Sequence, residues 1–224
     1  MINSKNPTIA LIDSGVGGVA VIKKLINQYK AGNYIYFADN LNMPYGNKSK
    51  KWLKKRIGLI IEEINSNYKP DLIIIACNTA STCINANEYS NVHIMKFNPK
   101  EIFFATKLTK NNLPSIQIIA DSNLASNIEK NIFNASKIDR IIKYHTKRYG
   151  LNTLNSFTLG CTHYELVKDK FEKYCPNSII TCNSENLLNE FKLNIVTDNE
   201  LNIIVNLSKQ DYLLERKILK ILER

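Results

Sequence analysis

The sequence predicts an α/β protein made of two related α/β lobes with mostly parallel sheets. Short apolar runs alternate with segments of helical periodicity, the arrangement of a parallel sheet covered on both faces. The alternation restarts near residue 97. Each half also ends an apolar run in a cysteine followed by small polar residues. One half reads Ile75-Ala76-Cys77-Asn78-Thr79 and the other Leu159-Gly160-Cys161-Thr162-His163.

In the first lobe, residues 8–12 and 33–38 read as strands, because each is a short apolar run bounded by turn residues. Residues 19–29 carry apolar side chains at near-3.6 spacing and read as a helix. Residues 49–65 do the same, with Ser49 suited to cap the helix start. A third strand is expected at 72–76, with a helix from about Thr79. In the second lobe the pattern predicts a helix near 100–109, a strand at 115–120 and helices at 123–133 and 137–149. A strand at 157–159, a helix at 164–174 and a short β-like run at 178–181 follow. The segment after Ser184 reads as helical, 202–205 as a strand, and 213–222 as a closing helix. The expected division is residues 1–96 with about 184–224 in the first lobe, and 97–183 in the second.

At 224 residues the chain can bury a substantial core. No run approaches the roughly 20 apolar residues of a membrane span, and the first residues lack a signal-peptide pattern. A cytoplasmic protein that engages no membrane is expected. Five cysteines, an odd number with no C-x-x-C pair, argue against a disulfide framework or structural zinc. The net charge of +10 raises the question of nucleic acid. Its lysines, such as Lys50, Lys51, Lys54 and Lys55, are scattered over helical segments without interleaved aromatics, so a solvated basic face is expected and no nucleic-acid partner.

The chemistry-bearing residues cluster at strand ends, where α/β proteins place their sites. A thiol at a helix start is a usable base or nucleophile. Two of them in separate halves suggest acid/base work on opposite faces of one small substrate. Cys83, Cys175 and Cys182 lack such a context and read as small buried hydrophobes; His93 and His145 read as structural or surface residues. The turn Asp13-Ser14-Gly15-Val16-Gly17-Gly18 leaves two readings open. Gly15, Gly17 and Ala20, with Asp39 after the second strand, fit a relaxed dinucleotide fingerprint. Alternatively the glycines permit tight packing, while Asp13, badly placed for a pyrophosphate, serves an ammonium group or a thiol. The loop Asp39-Asn40-Leu41-Asn42-Met43-Pro44-Tyr45-Gly46 favours the second reading, since backbone N–H groups near Gly46 suit a carboxylate.

These motifs together, with Lys48-Ser49 after Gly46, Ala80-Ser81 after Thr79 and Tyr164 after His163, resemble the glutamate racemase family of cofactor-independent amino-acid racemases. The resemblance is strong over residues 8–90 and 157–168. It implies an active site in the cleft between the lobes, inversion of the α-carbon of glutamate, and D-glutamate supplied to peptidoglycan, with no metal or organic cofactor. It implies Cys77 and Cys161 as the two acid/base thiols, assisted by Asp13 and His163. It implies contacts to the substrate's amino and carboxylate groups from Ser14, Asp39, Tyr45, Gly46, Asn78, Thr79 and Thr162. Relatives are often dimers, which makes a homodimer compatible with the resemblance.

The chain also departs from the family. It is shorter, chiefly in the second lobe. The Gly-Thr-rich turn that carries hydroxyls into the site aligns here with 119–126, which contains no Thr. The assisting glutamate that relatives place before the second cysteine strand has no counterpart in 138–145. Glu165 stands where relatives usually have Pro. Turnover of another amino acid, or binding of a small carboxylate without turnover, are the alternatives these departures leave.

Overall fold

A computed structural model describes residues 6–94, 102–113, 117–185 and 201–222. The first half runs β1 (Thr8–Asp13), α1 (Val19–Tyr29), β2 (Gly32–Ala38), α2 (Lys50–Tyr68), β3 (Leu72–Ile75), α3 (Asn78–Ser81) and β4 (Val92–Ile94). The second runs β5 (Phe103–Thr106), α4 (Lys107–Asn112), β6 (Ile118–Asp121), α5 (Leu124–Asn131), α6 (Ala135–Arg148), β7 (Ser156–Gly160), α7 (Thr162–Glu165), α8 (Lys168–Tyr174) and β8 (Ile179–Cys182). The chain then adds β9 (Leu201–Leu207) and α9 (Tyr212–Leu222).

The strands form two parallel sheets. One has the order β4-β3-β1-β2-β9 and the other β6-β5-β7-β8. Strand β1 shows why apolar runs form the centre of the first. Its Ile9 and Leu11 pack on the α1 and α9 side, while Ala10 and Ile12 pack on the α2 side, so both faces are covered and every position must be apolar. Helix α1 turns Val19, Ile22, Leu25 and Ile26 inward. Helix α2 starts as expected, with Ser49 Oγ accepting from the Trp52 N–H. Because β9 pairs with β2 along its whole length, the C-terminal segment belongs to the first sheet.

Three expected elements differ. The helix near 100–109 is a strand, β5, followed by α4. Phe103, Phe104 and Ala105 are fully buried between β6 and β7, and a short apolar run of this kind is ambiguous between strand and helix until its neighbours are known. Thr106 then caps α4 by accepting from Thr109 N–H. The helix from Thr79 is a single turn, and the helix at 164–174 is two, broken at Leu166–Val167. The helical reading after Ser184 falls mostly outside the described residues. Among those described, no helix is long and apolar enough to cross a membrane. All five cysteines are free.

Candidate active site

Strand β3 ends at Ile75 and Cys77 caps the single-turn α3; β7 ends at Gly160 and Cys161 caps the single-turn α7. Both thiols are nearly buried, at 5% and 7% exposure, and both line one cleft of about 380 Å³ between the sheets. The first lobe contributes Ser14, Pro44, Tyr45, Gly46, Asn78 and Thr79 to its walls, and the second Thr106, Ser122, Ala125, Thr162 and His163.

The two thiols have different surroundings. Cys77 lies 3.9 Å from Ser14 Oγ. Burial, and then the nearby Asp13 charge, push its pKa well above the ordinary thiol value. Cys161 lies 4.0 Å from His163 Nδ1, and His163 Nε2 is 2.6 Å from Glu129 Oε2. Burial alone would favour neutral imidazole. The hydrogen bonds with Cys161 and Glu129 outweigh it and raise the His163 pKa well above the usual value. A Glu129–His163–Cys161 chain is therefore in place to carry a proton to or from the second thiol.

Glu129 supplies the carboxylate that the sequence motifs do not place. The partly apolar stretch 124–128 leads directly into it, one strand-helix unit upstream of 138–145. The hydroxyl-bearing turn is also earlier in the chain than expected. Strand β5, not the run at 115–120, is the first strand of the second sheet's segment, and it ends in Thr106 with Thr109 one turn on. Their hydroxyls lie 3.0 Å apart, and Thr79 Oγ1 lies 2.9 Å from Thr106 Oγ1 and 3.3 Å from Thr109 Oγ1, tying the two walls together. Both differences follow from reading β5 as helix. The sequence signal that locates the turn is Ala105-Thr106 at the end of an aromatic run, with Thr109 three residues later.

The glycine turn is occupied by protein. An added Cβ at Gly15 would meet Glu129 Oε2 at 2.7 Å; at Gly17 it would meet His163 N, His163 Nδ1 and Thr162 Oγ1 at 2.6 Å; and at Gly18 it would meet Asp13 Cβ at 2.6 Å. Glu129 also accepts from Val16 N–H at 2.9 Å. The second lobe thus fills the space a pyrophosphate would need, which removes the dinucleotide reading. Asp13 is fully buried behind the cleft. It accepts from Gly18 N–H at 2.9 Å and from Thr162 Oγ1 at 3.2 Å, and burial raises its pKa.

Asp39 requires a correction. It does not line the cleft; its carboxylate is buried behind Tyr45 and accepts from Tyr45 Oη at 2.7 Å, Arg56 Nε at 3.0 Å and Arg56 Nη2 at 2.7 Å. Burial alone would raise its pKa, but Arg56, Asn42 and Tyr45 together bring it below the ordinary carboxylate value. Asp39 therefore anchors the Tyr45 loop instead of reaching a ligand. Asn42, also in that loop, donates to both Asp39 oxygens. Among the described residues no group of three or more side chains suits a metal ion.

Two parallel sheets that face each other across a cleft, with a strand-end thiol on each wall, mark a two-lobed, two-thiol α/β protein of the racemase kind. The chain is 30% identical to a glutamate racemase of Fusobacterium nucleatum, covering 84% of this chain and 86% of that protein. It is 28% identical to one from Clostridium acetobutylicum, over 94% and 96% of the two chains. Its fold matches a solved glutamate racemase isoform of Bacillus anthracis with a TM-score of 0.78 at 18% identity, covering 99% of this chain and 96% of that one. No family model matches. The chain belongs to the glutamate racemase family.

Proposed function

We propose that this protein interconverts L- and D-glutamate by two-thiol acid/base catalysis and supplies D-glutamate for peptidoglycan synthesis. The observation that carries this reading is the pair Cys77 and Cys161 on the two walls of one cleft. A thiolate on one wall removes the α-proton, leaving its electron pair on the α-carbon; the thiol on the other wall donates its proton to the opposite face. The product has inverted handedness and the thiol and thiolate have exchanged roles, so the reverse reaction starts from the state the forward one leaves. The α-proton is much less acidic than a thiol, so placement of both sulfurs and stabilisation of the developing charge must lower the barrier.

Asp13 and His163 assist, with Glu129 orienting His163. Tyr45, Gly46, Asn78, Thr79 and Thr162 contact the substrate together with Ser14, and the hydroxyl of Thr106 joins them. Among the described residues no Lys or Arg lines the cleft, so glutamate's two carboxylates are held chiefly by neutral donors. The working protein is a cytoplasmic homodimer; sedimentation at micromolar concentration distinguishes it from a monomer.

The function is tested by proton NMR with L-glutamate, then D-glutamate, in deuterated buffer without added cofactor. Loss of the α-proton signal with appearance of the opposite enantiomer is expected from either isomer. Folded protein that exchanges neither would overturn the reading, and binding of glutamate without exchange would favour a non-catalytic carboxylate-binding protein.

A further inference from the structure

Asn183 directly follows β8, is fully buried, and belongs to none of the motifs that mark the site. Its Nδ2 donates to Asn78 Oδ1 at 2.6 Å. Asn78 follows Cys77 in the chain and lines the cleft. With Oδ1 engaged by Asn183, the other end of the Asn78 amide, Nδ2, is a buried donor with no hydrogen-bond partner among the described residues.

A carboxamide has a donor end and an acceptor end that exchange by rotation about one bond. Left alone, Asn78 can present either end to the cleft at similar cost. A donor from Asn183 removes that freedom by fixing the oxygen away from the cleft and the NH2 towards it. This polarity matters for the dicarboxylate in the proposed reaction. The described lining of the cleft offers no Lys or Arg, so a carboxylate must be met by individual N–H and O–H groups, and an inverted amide would present an oxygen to it.

We infer that Asn183 is a positioning residue that sets the polarity of the Asn78 amide, so that its NH2 group donates to a carboxylate of the substrate. The inference rests on the proposed glutamate racemisation and adds to it a residue that contacts no ligand. It also links the β8 end in the second sheet to the Cys77 turn in the first, so substrate orientation depends on both lobes.

The test compares Asn183→Asp with Asn183→Ala in steady-state racemisation of L- and D-glutamate, after thermal melts have shown that each variant folds. In Asn183→Asp the ionised carboxylate only accepts, so it draws the Asn78 NH2 away from the cleft and leaves the oxygen facing the substrate. The expected result is a KM raised about tenfold or more, with kcat changed much less, because a hydrogen bond to a charged group is replaced by an opposed pair. Asn183→Ala merely frees the Asn78 amide to rotate, and its KM rise is smaller. A structural role predicts the reverse order, since Asp fills the space of Asn and Ala does not. An Asp variant with wild-type KM, or an Ala variant with the larger KM defect, overturns the inference.

Should Asn183→Asp fail to fold, Asn78→Asp answers the same question. It keeps an acceptor for Asn183 but removes the donor from the cleft, and an unchanged KM there also overturns the inference. Wild-type protein without racemisation would instead refute the proposed function, so the two failures are separable.

Discussion

Cys77 and Cys161 differ in what stands behind them, and the difference can be measured. Cys77 has Ser14 at 3.9 Å, whereas Cys161 has the imidazole of His163 with Glu129 beyond it. Each thiol has one proton to give or take, so Cys77→Ser and Cys161→Ser should each lower kcat by on the order of 10³-fold or more while leaving the melting temperature nearly unchanged. Substantial activity in either serine variant would exclude the two-thiol mechanism. Glu129→Gln tests the relay behind Cys161 and should lower kcat/KM by on the order of 10²-fold. L- and D-glutamate have equal free energies in solution, so the loss must be equal in both directions.

The same pair predicts a pH effect on stability. The folded-state pKa of His163 lies above its ordinary 6.5, so its contribution is full below about 6.5 and is lost as pH rises through the elevated value. Above pH 6.5 the wild-type melting temperature should therefore fall more steeply than that of Glu129→Gln. Parallel curves would show that Glu129 does not hold the imidazolium.

At the scale of elements, the turn between β1 and α1 shows what its glycines accommodate. Gly17 faces the start of α7 so closely that a methyl group would meet the His163 backbone and ring and the Thr162 hydroxyl at 2.6 Å. Since backbone cannot move aside cheaply, Gly17→Ala should destabilise by about 1–3 kcal/mol and displace His163 from Cys161. A melt and the racemisation assay on the same sample would check both effects, and a variant with wild-type values would show that the turn has room to yield. The short helices α3 and α7 extend the same logic. With only four residues each, they place a cysteine and the following polar side chains at a strand end, then give way to the next turn.

The whole molecule is held together across the cleft by contacts remote from the thiols. Lys24 on α1 donates to Glu165 Oε1 at 2.6 Å and to Ser184 Oγ at 2.9 Å. The Glu165 side chain is 2% exposed and that of Lys24 32%. Replacing Lys24 leaves a buried carboxylate without its cation. Partial exposure of the lysine reduces the cost, so Lys24→Met should destabilise by about 2 kcal/mol, lowering the melting temperature by about 4–8 °C. Adding Glu165→Gln should recover part of that loss; if the double variant is no more stable than Lys24→Met, Glu165 does not depend on the bridge.

The local features of this protein are legible in the chain alone. Buried strands such as β1 and β3 are continuous apolar runs, α1 and α2 declare themselves by period, Ser49 by its capping chemistry, and the two thiols by the small polar residues after them. These signals lie within a few residues of one another, so no distant partner is needed to read them. Features that depend on distant partners came from packing. It made β5 a strand by placing Phe103 and Phe104 between two others, and so located Thr106 and Thr109. It brought Glu129 to His163 across 34 residues of chain, and turned Asp39 towards Arg56 and away from the cleft. It filled the glycine turn with the other lobe. In each case a side chain's role was set by the group that packing brought to face it, and sequence spacing carries no record of that group.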